Sequence, residues 1–258
     1  MNAIRRYEKI MEALLVSKEV TVLELSERLQ VSGKTIREDL GKLEEQKLLM
    51  RVHGGAILAQ NDQLGILSMR EINHKHKAEK LEIAAKALQY IKSGDVIALD
   101  GGSTILEIAR GLENQPLTVI TNDLFVISEL TAKDQIRLVV PGGYRVRNIL
   151  AGNEAVSYIR RLNVQKAFVS ATALHVEYGL SIYTGDLLAF KQALVETAQT
   201  TYAVIDHYKF GQSALHTFAT LADIDIIITD EGLPEQTAEA FRQAGSIIDY
   251  KKKGSGGE

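Results

Sequence analysis

Residues 21–48 constrain the fold of the N-terminal region more than any other stretch of the sequence. Apolar residues recur there at the spacing of a helix, which predicts a first short helix over residues 22–29. Thr21 stands at its N-cap position, and Glu24 follows three residues later, as a capping box requires. After a tight turn, Ser32 is placed to cap a second helix. The pattern therefore predicts two short helices around a turn.

The second helix, over residues 33–46, separates an apolar stripe from a polar face. The apolar stripe consists of Ile36, Leu40 and Leu43, and the polar face offers Lys34, Thr35 and Arg37 near its start. In a helix-turn-helix such a second helix enters the DNA major groove, where these side chains reach phosphates and base edges. The alternative is an ordinary antiparallel helix pair whose charged face is solvated.

The residues that follow favour the DNA-binding alternative. Residues 48–52 form a short strand-like run, and two glycines after His53 permit a tight hairpin with Arg51 near its tip. With a preceding helix over residues 4–16, this arrangement predicts a winged helix-turn-helix. The predicted DNA-contacting residues are Ser32, Lys34, Thr35, Arg37, Arg51, His53 and Gly54.

From residue 77 the pattern changes to alternating helices and continuous apolar strands, which predicts a parallel sheet covered on both faces. The predicted strands cover residues 96–99, 117–120, 136–140, 167–170, 202–205, 224–228 and 246–248. The predicted helices cover residues 77–91, 103–112, 124–130, 154–162, 187–199 and 234–244. We expect a DNA-binding domain over residues 1–57, a linker over 58–76, an α/β domain over 77–250 and a disordered tail over 251–258.

Composition limits the kind of protein this can be. The 258 residues are 45% hydrophobic, carry a net charge of −3 and include no cysteine. The chain can therefore bury a sizeable core, and disulfides and thiolate metal sites are excluded. No apolar run is long enough to cross a bilayer, so we expect a cytoplasmic protein. The His74–Lys77 cluster indicates a solvated basic segment rather than a metal site, and we expect no metal and no cofactor.

Polar and glycine-rich motifs follow the predicted strands, at the edge where open parallel sheets bind ligands. Glycines let the backbone approach an anion, and a helix N-terminus presents free N–H groups to it. Tight turns also need glycine, and Asp206 with Lys209 could simply stabilise a turn. The residues proposed to bind an anionic effector are Asp100, Gly101, Gly102, Ser103, Thr104, Asn122, Gly142, Gly143, Lys191, Asp206 and Lys209.

The segment VSGKTIREDLGKLEEQKLLMRVHGGA resembles the N-terminal signature of the DeoR family of bacterial transcription regulators. Lys47 and Glu38 depart from the family's usual pattern. The strand-end motifs extend the resemblance over nearly the whole chain. It implies a C-terminal domain similar to ribose-5-phosphate isomerase, with a phosphorylated sugar as effector. By that likeness Gly102, Ser103, Thr104 and Lys209 would contact phosphate, Asp100 and Asn122 would read sugar hydroxyls, and Lys191 would add a further contact.

The resemblance implies a DNA-binding repressor of a carbohydrate operon that acts on operator DNA. We expect a homodimer or homotetramer, because one winged domain contacts too little DNA for strong specificity. The alternative is a sugar-phosphate isomerase-like enzyme, in which Asp100, Asp206 and Lys209 could serve acid–base steps. An isomerase has no need of a winged helix-turn-helix, and similarity of fold alone does not imply activity. A DNA-binding module without a ligand is disfavoured by the clustered strand-end motifs.

Overall fold

The computed structural model describes residues 3–17, 19–45, 48–52, 54–58 and 76–250. His53, most of the predicted linker and the predicted tail lie outside these ranges. Domain boundaries drawn through those segments therefore stay predictions.

The N-terminal unit is a winged helix-turn-helix. Its elements are α1 (Ala3–Ser17), β1 (Glu19–Thr21), α2 (Val22–Leu29), α3 (Gly33–Glu45), β2 (Leu49–Val52) and β3 (Gly55–Leu58). The three strands form an antiparallel sheet in the order β1-β3-β2. The predicted capping box is present, because the backbone N–H of Glu24 donates to Thr21 Oγ1 and the Glu24 carboxylate accepts from the Thr21 backbone.

The C-terminal unit begins with the helices and strands that build one half of the main sheet. These are α4 (Lys77–Leu88), β4 (Val96–Leu99), α5 (Ser103–Gly111), β5 (Leu117–Ile120), α6 (Leu124–Leu130), β6 (Ile136–Val139), β7 (Tyr144–Val146), β8 (Ile149–Ala151) and α7 (Asn153–Ile159). The remaining elements are β9 (Val164–Val169), β10 (Ala173–His175), β11 (Gly179–Ile182), α8 (Gly185–Thr197), β12 (Ala198–Val204), β13 (His216–Ala219), β14 (Ile226–Ile228), α9 (Glu235–Gln243) and β15 (Ile248–Asp249).

Seven parallel strands form the central sheet, in the order β15-β14-β12-β9-β4-β5-β6. One face packs against α4, α5 and α6, and the other against α7, α8 and α9. This confirms the predicted mostly parallel α/β fold. Since all seven strands run the same way, the ends of β4, β5 and β9 lie side by side at one edge.

The sequence did not predict the smaller β elements. The hairpin β7–β8 and the antiparallel sheet β10-β11-β13 lie outside the central sheet. Their strands are only three or four residues long. Strands this short do not show a recognisable alternating pattern in the sequence. Their conformation is decided by pairing with strands that are distant in the sequence.

For α4, apolar spacing predicts a helix over residues 77–91 that turns Leu81, Ala84, Ala85, Leu88 and Ile91 inward, and this is partly wrong. Leu81 is 47% exposed, whereas Ile83, Ala84 and Ala87 are buried. Lys86 is buried too, because its ammonium donates to the carbonyl oxygens of Thr229 and Tyr250. Those bonds turn the helix toward β14, and apolar spacing alone does not reveal them.

Candidate functional site

The helix α3 presents its predicted polar face to solvent. Lys34 and Arg37 are exposed, while Ile36, Leu40 and Leu43 are buried in the winged-helix core. The backbone N–H of Thr35 donates to Ser32 Oγ at 3.1 Å, so Ser32 caps the helix as predicted. Thr35 Oγ1 lies 2.9 Å from Ser32 Oγ. The first turn is therefore held in place with two basic side chains free to meet DNA.

The β2–β3 hairpin lies beside this helix as a wing. Gly54 has a φ of 81°, a conformation that favours glycine, and it makes the turn between the strands. Arg51 is exposed, and its backbone N–H donates to the Glu44 carboxylate on α3 at 2.8 Å. A Cβ on Gly41 of α3 would lie 3.9 Å from the Arg51 guanidinium. The wing thus brings a third basic side chain to α3, while the predicted contact His53 lies outside the described residues.

An ion pair joins the first helix to the candidate recognition helix. The Arg6 guanidinium on α1 donates to both carboxylate oxygens of Asp39 on α3, at 2.7 and 3.0 Å. Asp39 is only 3% exposed. A bidentate arginine–carboxylate pair fixes orientation as well as distance. Any displacement of α1 is therefore passed to α3.

A second candidate site is a cavity at the carboxyl ends of β4, β5 and β9. Its lining residues are Asp100, Gly101, Asn122, Ile149, Ser170, Ala171, Thr172, Ile182, Leu187, Phe190 and Lys191. It has room for little more than one water molecule in this conformation. Four of the predicted effector residues meet here, and α8 contributes Leu187 and Phe190 to the apolar wall.

A buried network of opposite charges occupies one wall of this cavity. The Lys191 ammonium donates to Asp100 Oδ2 in a very short contact, and also to the backbone carbonyl of Ser170 at 2.9 Å. Asp100 Oδ2 also accepts from the Ser170 backbone N–H at 3.0 Å. Asp100 and Lys191 are 3% and 4% exposed. Lys191 is therefore neutralised by Asp100 rather than being an unpaired cation.

Two buried polar atoms in the cavity have no hydrogen-bond partner among the described residues. They are Asn122 Oδ1 and Thr172 Oγ1, on residues 1% and 2% exposed. The Asn122 amide nitrogen is already used, because it donates to the Leu150 carbonyl at 2.9 Å. Buried polar atoms are normally paired, so a free acceptor and a free hydroxyl point to a ligand that offers hydroxyl groups. Sequence reasoning proposed Asn122 and did not propose Thr172.

The N-terminus of α5 lies next to this cavity. Gly102 has a φ of 117° and no side chain caps the helix, so the first-turn N–H groups of Ser103 and Thr104 lack an intrahelical acceptor. The Gly102 N–H donates to Asp123 Oδ2 at 3.2 Å. A phosphate could bind these N–H groups, close to the Asp123 carboxyl group that accepts from Gly102.

Burial raises the pKa of Asp123 to about 6, although hydrogen bonds from the N–H groups of Phe125, Val126 and Gly102 and from the Asn148 amide oppose this change. The same carboxylate caps α6. A carboxyl with a raised folded-state pKa stabilises the fold below its unfolded pKa and loses that contribution as pH rises through the folded pKa.

We expect the free energy of unfolding of the wild type, relative to that of Asp123→Asn, to fall by about 1.4 kcal/mol between pH 5 and pH 7.5. Because the other carboxyl groups are present in both proteins, the difference between their free energies of unfolding reports on Asp123 alone. Urea denaturation at both pH values measures it. A pH-independent difference would show that the Asp123 pKa is not raised.

Four other predicted effector residues do not line the cavity. Gly142 and Gly143 lie between β6 and β7, where a Cβ on Gly143 would meet the Ala151 carbonyl oxygen at 2.2 Å. Asp206 follows β12, two strands away from β4, and its Oδ2 lies 3.3 Å from the Lys209 ammonium. This pairing fits the turn-stabilising alternative, and a role in effector binding stays a prediction.

His175 and Tyr183 do not line the cavity either. His175 is on β10 and stacks on Tyr178, with ring centroids 4.8 Å apart. Tyr183 packs into the winged-helix core. Within the described ranges, no group of three or more histidine, aspartate or glutamate side chains could hold a metal ion, and no helix is long and apolar enough to span a membrane.

An exposed helix that begins with two basic side chains, a wing beside it, and an α/β unit with a polar strand-end cavity fit the class of winged-helix regulators that carry a sensor domain. Family models agree with this class. The DeoR-like helix-turn-helix domain matches residues 6–62, and the DeoR C terminal sensor domain matches residues 75–231. The chain therefore belongs to the DeoR family of transcription regulators, as its sequence motifs predicted.

Full-length relatives support the same assignment. The lactose phosphotransferase system repressor of Lactococcus lactis is 32% identical, with 96% of this chain and 99% of the relative aligned. The transcriptional repressor AccR of Agrobacterium fabrum is 34% identical over 92% of this chain and 95% of its own length. Among solved structures, ribose 5-phosphate isomerase A of Methanocaldococcus jannaschii is 21% identical over 53% of this chain and 55% of that chain, with a TM-score of 0.39.

Proposed function

We propose that this chain represses carbohydrate genes by binding operator DNA through α3 and the β2–β3 wing, and that a phosphorylated sugar in the strand-end cavity controls that binding. The effector part of the proposal rests on Asn122 Oδ1 and Thr172 Oγ1, which are buried in the same cavity as Asp100 and have no hydrogen-bond partner in the described part of the chain. A sugar hydroxyl can donate to the first and exchange a hydrogen bond with the second. The name of the Lactococcus relative, a repressor of a lactose system, agrees with a carbohydrate role.

The phosphate of such a ligand is assigned to the α5 N-terminus. Ser103 and Thr104 supply N–H groups and hydroxyls there, next to the cavity wall formed by Gly101. A helix N-terminus favours a negative charge by its dipole. The sugar would then extend from α5 toward Asn122 and Thr172.

A thermal-shift series with ribose 5-phosphate, fructose 6-phosphate and glucose 6-phosphate tests effector binding. A ligand at about 100 times its dissociation constant should stabilise the C-terminal unit (residues 76–250, called the sensor unit below) by about 2.7 kcal/mol. This stabilisation raises the melting temperature by several degrees. The matching unphosphorylated sugars serve as controls for the phosphate. If neither kind of compound raises the melting temperature, the sugar-phosphate assignment fails.

We expect the protein to act as a homodimer or homotetramer. One winged domain contacts too little DNA for strong specificity, whereas a two-fold dimer reads two half-sites about 10–10.5 base pairs apart, or a multiple of that. Sedimentation velocity with and without operator measures the assembly. A monomer at all concentrations, also when bound to DNA, would contradict this expectation.

We further propose that the bound sugar phosphate is not turned over. The Asp100 carboxylate is engaged by Lys191 and by the Ser170 backbone N–H, so it is poorly placed to abstract a proton from a ligand. Incubation with ribose 5-phosphate, followed by assay for the ketose isomer, tests this directly. Catalytic turnover would favour the isomerase-like alternative.

A further inference from the structure

One short segment of the sensor unit contacts both the strand-end cavity and the DNA-binding unit. Residues 182–191 run from the last residue of β11 into the first half of α8. Ile182, Leu187, Phe190 and Lys191 of this segment line the cavity. Tyr183, Thr184 and Gly185, which lie between them in sequence, line a separate gap against Glu8, Met11 and Glu12 of α1.

Tyr183 is the apolar anchor of this contact. It is 4% exposed and belongs to the same buried cluster as Ile10, Met11 and Leu14 of the winged-helix core. The neighbouring strand contributes as well, because His216 of β13 pairs with Ile182 and its Nε2 lies 3.2 Å from Glu8 Oε1. The DNA-binding unit is thus docked on the segment that closes the cavity.

The docking contact has features of a reversible one. Glu12 on α1 and Asp186 on α8 line the same gap, and their like charges oppose close approach. Thr184 Oγ1 is buried there without a hydrogen-bond partner among the described residues. A contact that has one large apolar anchor and an unpaired buried hydroxyl can be displaced by a few kcal/mol, which ligand binding can supply.

Entry of a sugar phosphate must move this segment. The cavity is too small for such a ligand, and its opposite wall consists of residues at the ends of the central strands β4, β5 and β9. Buried, paired strands resist displacement more than a helix end next to a gap. The first half of α8 is therefore the wall that gives way, and Tyr183 moves with it.

We propose that residues 182–191 transmit effector binding to DNA, with Tyr183 docked on α1 in the ligand-free state and displaced when the cavity is occupied. This inference rests on the proposed function, and it adds the path by which effector binding reaches the DNA-binding unit. Displacement of Tyr183 shifts α1, and the Arg6–Asp39 pair carries that shift to α3. The ligand thereby alters the position of the recognition helix without touching it.

Tyr183→Ala tests this route. In the wild type, the sugar phosphate that gives the largest thermal shift should change operator affinity by about 5–150-fold. In Tyr183→Ala we expect that factor to fall to about 2-fold or less, while the variant still binds both the operator and the sugar phosphate. Tyr183→Phe retains the ring and should keep the coupling.

Tyr178→Ala is the matched control, because Tyr178 is 50% exposed at the turn between β10 and β11. This substitution should leave the coupling between effector and operator unchanged. An unchanged coupling factor in Tyr183→Ala would overturn the inference, whereas absence of any effector response in the wild type would overturn the proposed function instead.

Hydrogen exchange on the wild type covers the case in which Tyr183→Ala does not fold. The sugar phosphate should increase amide exchange in α1 and residues 183–186 relative to the ligand-free protein. Protection confined to the cavity, with exchange in α1 unchanged, would contradict the route.

Discussion

Replacing Lys34 and Arg37 together with alanine is expected to lower operator affinity by about 100-fold or more. Each side chain that contacts a base contributes roughly 1–3 kcal/mol, and a two-fold dimer loses the contact in both half-sites. Both residues are exposed on the first turns of α3. Fluorescence anisotropy with an operator selected from random duplexes measures the loss.

The control for this double variant removes the same charge elsewhere. Lys92 and Arg161 are exposed on the sensor unit, so Lys92→Ala with Arg161→Ala should leave operator affinity nearly unchanged. The salt dependence of operator affinity distinguishes phosphate contacts from base contacts. Each lost phosphate contact reduces the slope of that dependence by about 1. Equal affinity of the Lys34/Arg37 variant and wild type would exclude α3 as the recognition helix.

Asp100→Ala is expected to destabilise the sensor unit by about 3–5 kcal/mol. The substitution leaves the Lys191 ammonium buried without its anion, and removal of one partner from a buried pair is costly for that reason. The double variant Asp100→Ala with Lys191→Met removes both charges. Because replacement of both members by apolar groups is often neutral, we expect it to recover most of the lost stability.

Urea denaturation of both single variants and the double variant completes this cycle. A strongly non-additive result, with the double variant close to wild type, identifies the pair as an interacting unit. We expect the recovered double variant to bind sugar phosphate more weakly than wild type, because Asp100 lines the cavity and is predicted to contact a sugar hydroxyl. Additive losses would show that Asp100 and Lys191 are energetically independent.

The N-terminal elements could be predicted from sequence because local chemistry decides them. Thr21 and Glu24 cap α2, Ser32 caps α3, and the stripe of Ile36, Leu40 and Leu43 fixes which face is buried. The parallel sheet was predictable for a related reason. The strands β4 and β14 are continuous apolar runs, and β4 and β5 have the predicted bounds.

The candidate cavity could be predicted only in part. Asp100 and Asn122 follow apolar strands, so their place at the sheet edge could be read from the sequence. Thr172, Ile182 and Phe190 reach the cavity through the small antiparallel sheet and through α8. No local pattern marks such tertiary placement. The strand order also puts Asp206 two strands from β4, a separation that depends on crossovers rather than on motifs.

Titration of the selected operator with wild-type protein, with and without the bound sugar phosphate, tests the central claim most directly. We expect the ligand to weaken operator binding by about 5–150-fold. By thermodynamic linkage, operator must weaken ligand binding by the same factor, which calorimetry on the protein–DNA complex measures. A sugar phosphate that binds the cavity but leaves operator affinity unchanged would contradict the account.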